Sequence, residues 1–541
     1  MNSIIRQELS SYWKVYAAAA AASLMSGACG ASLLAVMNSA VSNRAGWTTI
    51  GVFLVLVIGK VLGHCLARGL LSRLAQRSVL ALRGDLCRRI VDTPLRRLEQ
   101  AGSMRLLGAL VEDVVAIRAA LEAIPICINN MLLLIGCVVY LGWLSPAMLP
   151  PLAGVVILGL AGYAALRRRA FRSSRDGREN ESQLMTLLRG VAEGGKELQL
   201  NRSLRRSFLD EDVRSCAEHV RRQGVRTDDA FILIDSWTHF LFYSMVGVLI
   251  FALPEWRAVS RTVLVGYLLA VLFMMRPIVS VLQLLPLLNR GRVAHAHIED
   301  LKLGLGAGAS AIAALSPECP SCAQVELVGV GYSHPGGDHL FRLGPLDFSL
   351  SPGELVFVVG GNGSGKSTLA KVVAGLYAPD FGEVRLNGVP VRDAQRDDYR
   401  QLFGAVFVDS YLFHRLPDHC NPQRLAQAHK YLAEFRIAHK VRIEDGVFRS
   451  AGLSQGEQKR LALVTAYLED RPFYIFDEWA ANQDPLFKET FYLRLLPDLT
   501  ARGKAVLAIS HDDRYFTAAH TVVRMDEGRI VSRERLSSQA S

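Results

Sequence analysis

A run of nine residues, Gly360 to Thr368 (GGNGSGKST), leaves few folds open to this chain. The apolar run LVFVV precedes it and LAKVV follows it, a pattern that predicts a strand, a loop and a helix. The spacing G-x-x-x-x-G-K-[ST] lets backbone N–H groups surround a polyphosphate at a helix N-terminus, where the helix dipole favours negative charge. A glycine-rich turn that matches by chance is the alternative, but the flanking strand and helix disfavour it. The run predicts a nucleotide site.

Each residue type in this run has a predicted task. Lys366 is placed to reach the outer phosphates, and the hydroxyl of Ser367 to bind Mg²⁺. The other predicted nucleotide contacts of the loop are Gly360, Asn362, Gly363, Ser364, Gly365 and Thr368.

A phosphate loop also needs a carboxylate on a neighbouring strand to hold Mg²⁺. The apolar run FYIF, residues 473–476, ends in Asp477 and Glu478. We expect Asp477 to be the metal-side acid and Glu478 to orient or deprotonate the water that attacks the γ-phosphate. A strand that ends in a pair of helix-capping acids is the alternative. ATP and Mg²⁺ are therefore the predicted cofactors.

Half of the 541 residues are hydrophobic, which is too many for a wholly soluble chain of this length. Apolar stretches predict membrane spans at about 12–41, 47–70, 124–144, 148–166, 230–253 and 263–288, each long enough to cross roughly 30 Å of hydrocarbon. A signal peptide is the alternative for the first stretch, but a second span follows at once. The arginine-rich segments between spans two and three and between spans four and five predict cytoplasmic regions, with both termini inside. Apolar residues recur at helical spacing in the first segment, which predicts long helices that project beyond the bilayer, with a basic loop as the alternative.

Residues 303–323 are rich in small residues and prolines, which predicts a linker between a membrane domain, 1–302, and a nucleotide-binding domain, 324–541. The predicted fold class is an all-α six-helix transmembrane domain fused to a C-terminal α/β P-loop nucleotide-binding domain. The net charge of +11 comes from arginines beside the apolar stretches, so no nucleic-acid partner is predicted. The close pair Cys319 and Cys322 lacks the second pair that a zinc site needs.

A second motif, LSQGEQKR at Leu453 to Arg460, lies between the phosphate loop and the acid-tipped strand. It resembles the LSGGQ signature of ATP-binding-cassette (ABC) proteins, in the order that those proteins use. On that resemblance, His511 looks like their switch histidine, which contacts the γ-phosphate, and Ala481 to Asp484 looks like their D-loop. Read alone, His511 would be a capping or surface histidine. Six spans ahead of one cassette resemble a half-size exporter.

Three runs together look like a narrower group, the cyclic-peptide exporter family, which includes pyoverdine-type and syringomycin-type exporters of siderophores and lipopeptides. They are VVGGNGSGKST, LSQGEQKRLAL and FDEWAANQDP. The resemblance implies ATP-driven export of a peptide-type secondary metabolite from cytoplasm to periplasm across a bacterial inner membrane. It also implies a homodimer in which Ser454 and Gly456 serve the nucleotide of the second copy, and Asp484 of the D-loop is a further predicted nucleotide contact. A lipid or multidrug exporter and an ATP-switched membrane regulator without transport stay open, and so does the use of a periplasmic or outer-membrane partner.

Three departures from the cassette pattern affect the site. Val408 stands where these cassettes usually carry a glutamine, and the adjacent Asp409 is the candidate to replace it, through a water. In the signature, Gln455 and Glu457 replace a glycine and a glutamine. The aromatic ring that stacks on adenine falls by spacing at His334, with Tyr332 on the same strand face as the second candidate.

Ionisable side chains inside the predicted spans are candidates for a cargo cavity, because such groups are costly in hydrocarbon. They are Lys60, His64, Asp235, His239 and Arg276. Their mixed signs suit a polar peptide cargo. Pairing between helices, or snorkelling to an interface, is the alternative.

Overall fold

The computed structural model describes residues 2–42, 46–252, 260–305, 323–334, 341–416, 421–450 and 452–536. The chain divides into two compact units, one made of Met1–Asp85 with Leu107–Glu299 and the other of Leu86–Leu106 with Asp300–Ser541. Most of the predicted linker, including Cys319 and Cys322, lies outside the described residues.

The described part of the first unit is helical. Its α-helices are Asn2–Ser42, Trp47–Asp92, Ser103–Gly108, Val114–Leu144, Leu149–Glu193, Gly195–Leu200, Arg202–Ser207, Arg214–Gly247 and Arg261–Leu305, with wider π-helical turns at Ala109–Asp113, Phe208–Val213 and Val248–Ala252. Three of these helices, Trp47–Asp92, Ser103–Gly108 and Arg261–Leu305, include residues of both units. Several run well beyond the predicted spans, as the helical spacing of the arginine-rich segments leads one to expect.

Six helical stretches are long and apolar enough to cross a membrane. They are Ala17–Val41, Trp47–Asp92, Ser103–Leu144, Pro146–Leu166, Arg202–Phe251 and Arg261–Lys302. The membrane half of the predicted fold class is therefore confirmed.

Glycine allows the fourth and fifth of these stretches to pack closely. A Cβ atom at Gly162 would lie 2.5 Å from the indole nitrogen of Trp237, so no larger residue fits there without a shift. The same nitrogen donates a hydrogen bond to the carbonyl oxygen of Gly159 at 3.3 Å. Small residues at helix contacts are the usual means of close packing between membrane helices.

The second unit is an α/β domain with twelve strands in its described part. They are β1 Val325–Ser333, β2 Arg342–Leu350, β3 Leu355–Gly360, β4 Phe381–Leu386, β5 Val389–Pro390, β6 Phe403–Val406, β7 Val441–Glu444, β8 Val447–Ser450, β9 Phe473–Asp477, β10 Ala505–Ile509, β11 Thr521–Asp526 and β12 Arg529–Arg535. Its α-helices are Leu95–Ala101, Lys366–Val373, Arg396–Arg400, Pro422–Glu434, Gln455–Glu469, Pro485–Thr490 and Leu496–Ala501.

The central sheet has the strand order β12-β11-β3-β10-β9-β6. The five strands from β11 to β6 are parallel, and only β12 is antiparallel to its neighbour. A second sheet, β2-β1-β4-β5, and the hairpin β7-β8 complete the strands. Strands β3, β9 and β10 are apolar along nearly their whole length because helices cover both faces, and their carboxyl ends meet at one edge. This α/β domain confirms the other half of the predicted fold class.

Candidate nucleotide site

The phosphate loop leaves the carboxyl end of β3 and leads into the helix Lys366–Val373. Three of its glycines have positive φ angles, 154° at Gly360, 80° at Gly363 and 99° at Gly365. Other residues adopt these angles only with strain. A side chain at Gly360 would also collide with the carbonyl oxygen of Met525 on β11. These constraints explain why glycines occupy the framework positions of the motif.

The side chain of Lys366 reaches back to the start of the phosphate loop. Its ammonium donates hydrogen bonds to the carbonyl oxygens of Gly360 at 3.0 Å and of Gly361 at 2.8 Å. The residue is only 5% exposed, and burial lowers the pKa of its ammonium while the carboxylates of Glu478 and Asp477 oppose that shift. A buried ammonium surrounded by carbonyls and acids is suited to exchange its partners for phosphate oxygens.

The hydroxyl of Ser364 is the loop atom that most directly fits a phosphate. Ser364 is 4% exposed, and its Oγ has no hydrogen-bond partner within the described structure. Buried hydroxyl groups are nearly always bonded, so this one marks a place where a ligand oxygen fits. Asn362, by contrast, is exposed and Thr368 is half-buried in the first turn of the helix.

Two residues are placed to hold a divalent cation. The Ser367 hydroxyl donates to the Oδ1 atom of Asp477 at 3.2 Å, which joins the phosphate-loop helix to the end of β9. Asp477 is 3% exposed, and burial raises the pKa of its carboxyl. A hydroxyl and a carboxylate beside a phosphate site match the hard oxygen ligands that Mg²⁺ prefers.

Val408 and Asp409 follow β6 on the far side of β9. The carboxylate of Asp409 contributes to the raised pKa of Asp477, so its charge acts on the predicted metal side of the site. Val408 is 51% exposed and has no atom that ligates a metal. Asp409 therefore remains the candidate for the position that a glutamine usually fills.

Glu478 and His511 lie side by side, because β9 and β10 are neighbours and each residue follows its strand. The Nε2 atom of His511 is 3.0 Å from the Oε1 atom of Glu478. Both side chains are partly exposed, at 33% for Glu478 and 46% for His511. They line a polar cavity of about 290 Å³, together with Lys488, Asp512 and Arg514. Such a cavity has room for a water and a phosphate edge beside a carboxylate base.

The signature residues lie at the start of the helix Gln455–Glu469. Ser454 is the N-cap, and its hydroxyl accepts a hydrogen bond from the backbone N–H of Glu457 at 3.3 Å. The Glu457 carboxylate in turn accepts from the Ser454 backbone N–H at 2.8 Å and is 2.8 Å from the ammonium of Lys440. These contacts lower the pKa of Glu457 to about 2. Glu457 thus completes a capping box that holds Ser454 at an exposed helix start.

The D-loop packs against the signature helix of the same chain. The amide of Gln483 donates to the carbonyl oxygen of Gly456 at 2.9 Å. Asp484 caps the helix Pro485–Thr490 by accepting from the backbone N–H of Phe487 at 3.0 Å, and it is paired with Arg460. The D-loop and the start of the signature helix are therefore held to each other through Gly456 and Asp484.

The two candidates for an adenine platform have different surroundings. Tyr332 is fully buried, with the Tyr377 ring stacked on it at 4.6 Å and the Arg96 guanidinium 5.1 Å from its centroid. With both faces covered, Tyr332 is not placed to stack on a base, which corrects its inclusion among the predicted nucleotide contacts. His334 is half-buried and meets the rings of Tyr332 and Tyr377 edge-on, so it is the better placed of the two.

Sequence reasoning missed one group of residues near the phosphate loop. The short helix Leu95–Ala101, from the first arginine-rich segment, belongs to the cassette unit. Its Arg96 is 2.6 Å from the carboxylate of Asp380, and Glu99 accepts a hydrogen bond from the hydroxyl of Tyr377 at 2.6 Å and is 3.3 Å from Lys371 on the phosphate-loop helix. The one sequence signal that could have indicated this contact is Glu99, an acidic residue within an arginine-rich segment.

The candidate cargo residues lie in separate surroundings in the first unit. The ammonium of Lys60 is 4.3 Å from the ring centroid of Phe273, a cation–π distance. Asp235 and His239 are 3.7 Å apart, one helical turn from each other. Arg276 is exposed and His64 half-buried. Asp235 is thus paired with His239 within one helix, which differs from the pairing between helices that the alternative expects, and Lys60 lies against an aromatic ring.

Comparison with known proteins bears on both units. A family model described as ABC transporter matches residues 343–481. The ATP-binding protein SyrD of Pseudomonas syringae pv. syringae is 36% identical over 471 residues, which is 85% of this chain and 83% of that protein. An ATP-dependent lipid A-core flippase of Dechloromonas aromatica is 25% identical and covers 96% of this chain and 91% of its own.

A solved structure shares the whole fold. The structure of a bacterial Atm1-family ABC exporter with ATP bound superposes with a TM-score of 0.72 over 99% of this chain and 96% of that one, at 17% sequence identity. At that identity the likeness bears on the fold alone.

Proposed function

This chain belongs to the ABC transporter family as a half-size exporter, and we propose that it exports a peptide-type secondary metabolite, a siderophore or lipopeptide, with the energy of ATP. It is a multi-pass membrane protein whose cassette is an ATPase that drives transport. Export from cytoplasm to periplasm across a bacterial inner membrane, the homodimer and the cargo class belong to the proposal.

One observation carries the proposal. The relative at 36% identity aligns over 471 residues, so the likeness includes membrane helices as well as the cassette. A cassette alone does not indicate a cargo, because cassettes are shared across the family, whereas the cargo path lies in the membrane half. The peptide class of the cargo is therefore inferred from this likeness, and the three cassette runs agree with it because they resemble those of the cyclic-peptide exporter family.

Hydrolysis begins with the phosphate loop. Lys366 leaves the carbonyl oxygens of Gly360 and Gly361 for the outer phosphates of ATP, and the Ser364 hydroxyl gains the partner it lacks. Ser367 and Asp477 hold Mg²⁺, which supplies charge neutralisation to the phosphates when it is bound. His334 supports the adenine ring.

The two residues that follow β9 and β10 position and activate the reacting water. Glu478 orients it and accepts its proton, and His511 fixes the carboxylate at 3.0 Å and lies beside the γ-phosphate. The whole arrangement relies on positioning, which is the main source of rate in phosphoryl transfer.

A homodimer completes each site. Ser454 is exposed and Gly456 half-buried at the start of the helix Gln455–Glu469, where they are accessible to the nucleotide of a second copy. The helix N-terminus beside Ser454 favours a phosphate there. The helix Leu95–Ala101 follows the second span in the chain and contacts Tyr377 and Lys371, so it is the segment through which closure reaches the membrane helices.

Orientation and cargo path follow from charge. The arginine-rich segments favour a cytoplasmic cassette and cytoplasmic termini. Lys60, beside the ring of Phe273, is the cavity residue best suited to contact cargo, because in the described part of the chain no carboxylate neutralises it. His64, Asp235, His239 and Arg276 are weaker candidates.

Lipid export is the second candidate function, because flippases for lipid A-core are relatives that span nearly the whole chain. Uptake into inverted membrane vesicles separates the two. We expect ATP-dependent accumulation of a fluorescent cyclic lipopeptide, absent when vesicles carry the Lys366→Ala variant. Failure to accumulate the peptide, with ATPase activity that responds only to a lipid A-type glycolipid, would replace the peptide proposal with the lipid one.

A further inference from the structure

The signature helix, Gln455–Glu469, is tied by side chains to the segment that begins at the acid pair. The ammonium of Lys459 donates to the backbone carbonyl oxygen of Glu478 at 3.1 Å. The indole N–H of Trp479 donates back to the carbonyl oxygen of Lys459 at 2.9 Å. Further along, Arg460 donates to the amide oxygen of Gln483 at 2.8 Å. Of the two basic residues, Lys459 and Arg460, it is Lys459 that contacts the proposed catalytic glutamate.

The backbone of Glu478 needs such support. Its φ and ψ angles are 45° and 36°, in the left-handed region that a residue with a side chain enters only at a cost. Its N–H donates to the carbonyl oxygen of Ile509 at 3.2 Å, and its side chain contacts His511 at 3.0 Å. The carbonyl oxygen accepts from the backbone N–H of Ala481 at 3.2 Å and from the Lys459 ammonium at 3.1 Å, so Lys459 supplies the one side-chain donor to this group in the described structure. Together the four contacts hold the turn that aims the carboxylate at the cavity.

The position of Lys459 suits a charged donor. The side chain is partly buried, and burial lowers the pKa of its ammonium while the carboxylates of Glu478 and Asp477 raise it. A charged donor to a backbone carbonyl makes a stronger hydrogen bond than a neutral one. The ammonium therefore contributes both a bond to the turn and a positive charge near the two acids.

We propose that Lys459 is a positioning residue for Glu478, and that through it the signature helix sets the general base of its own cassette. Ser454 and Gly456 start that helix, and in the proposed homodimer they contact the nucleotide of the other copy. A shift of the helix when that nucleotide binds moves Lys459, and with it the turn at Glu478. Each ATP then controls hydrolysis of the other, an extension that rests on the proposed homodimer.

The test compares Lys459→Met with Lys459→Arg in the full chain, reconstituted in lipid nanodiscs. Lys430→Met is the matched control, because Lys430 is exposed on the helix Pro422–Glu434 and the variant loses the same charge. For Lys459→Met we expect kcat to fall about ten-fold to a hundred-fold, with the KM for ATP and the thermal midpoint close to those of the parent. The Hill coefficient for ATP should fall toward one, and Lys459→Arg should recover most of kcat.

The inference fails if kcat of Lys459→Met stays within about two-fold of the parent. It also fails if kcat falls only together with the thermal midpoint and Lys459→Arg gives no recovery. Those two results would show that Lys459 stabilises the fold and does not position Glu478. Glu478→Gln in the same preparation separates the two proposals. If that variant keeps full activity, the proposed hydrolysis itself is wrong, whereas loss of activity there with a normal Lys459→Met removes only the present inference.

Discussion

Replacing Glu478 by glutamine tests the proposed chemistry with little change in structure. The two side chains have nearly the same shape, and the 3.0 Å contact with His511 can be kept because an amide both donates and accepts. The backbone stays in its left-handed turn, since the N–H bond to Ile509 and the carbonyl bond from Lys459 involve main-chain atoms of residue 478. The side chain is 33% exposed, so no buried charge is gained or lost.

The size of the effect follows from the role assigned. A positioned general base contributes about a hundred-fold to ten-thousand-fold, which is about 3–5 kcal/mol of activation free energy. Glutamine accepts no proton, so the whole contribution should be lost. A surface-type substitution of this kind changes the free energy of unfolding by no more than about 0.5 kcal/mol. ATP affinity should hold, because the phosphate contacts belong to Lys366, Ser364 and Ser367.

The assay is steady-state phosphate release by the chain in lipid nanodiscs at saturating Mg-ATP, beside the affinity for a fluorescent ATP analogue and the thermal midpoint. Glu478→Gln should lose at least about a hundred-fold in kcat with analogue affinity unchanged. A kcat within about ten-fold of the parent would refute the assignment of Glu478 as base. A large fall in thermal midpoint would refute the claim that the turn is held by main-chain contacts.

Three further substitutions test the adenine platform and the capping box. His334→Ala should raise the KM for ATP several-fold, since base stacking on an aromatic ring contributes about 1–3 kcal/mol. Tyr332→Phe should leave the KM unchanged and raise the free energy of unfolding by about 1 kcal/mol, because the buried hydroxyl of Tyr332 has no partner in the described structure. Equal KM values for the two variants would contradict the choice of His334 as the adenine platform. The folded pKa of Glu457, about 2, lies below the unfolded value of about 4.3. Its stabilising contribution is therefore full at neutral pH and lost as the pH falls from about 5 toward 2. Glu457→Gln should accordingly lower the thermal midpoint at pH 7 and flatten its decline below about pH 5, and a parallel decline in both proteins would contradict the capping role.

Much of the nucleotide site could be predicted because its residues are local motifs at strand ends. Gly360, Asp477 and His511 each end or follow an apolar run, and parallel strands bring their carboxyl ends to one edge. The order β3-β10-β9 puts His511 between the other two. It depends on the pairing of Val506 in β10 with Leu355 in β3, which no local sequence signal indicates because the two residues are far apart in the chain. The roles assigned to these residues stay predictions until they are measured.

The choice of the adenine platform could not be predicted from local sequence patterns. His334 and Tyr332 share a strand face by the two-residue period, so spacing allows either ring to stack. The choice depends on Tyr377, which follows the phosphate-loop helix, and on Arg96, from a segment between two membrane spans. The basic residues and helical spacing of that segment predict only a cytoplasmic, helical segment. Its assignment to the cassette unit comes from side-chain contacts that no single stretch of sequence encodes.

In the proposed homodimer each ATP is shared by two copies of the chain. A mixing experiment in the Glu478→Gln background measures this sharing directly, as the number of ATP molecules occluded in each dimer. Lys366→Ala inactivates the phosphate loop, and Ser454→Ala inactivates the signature. Neither variant alone should therefore retain occluded ATP after rapid desalting. Assembled together, they form mixed pairs with one intact composite site, and we predict one occluded ATP for each mixed pair. If the mixture retains no more ATP than the separate variants, or if Ser454→Ala alone retains as much as the parent, the shared site is contradicted.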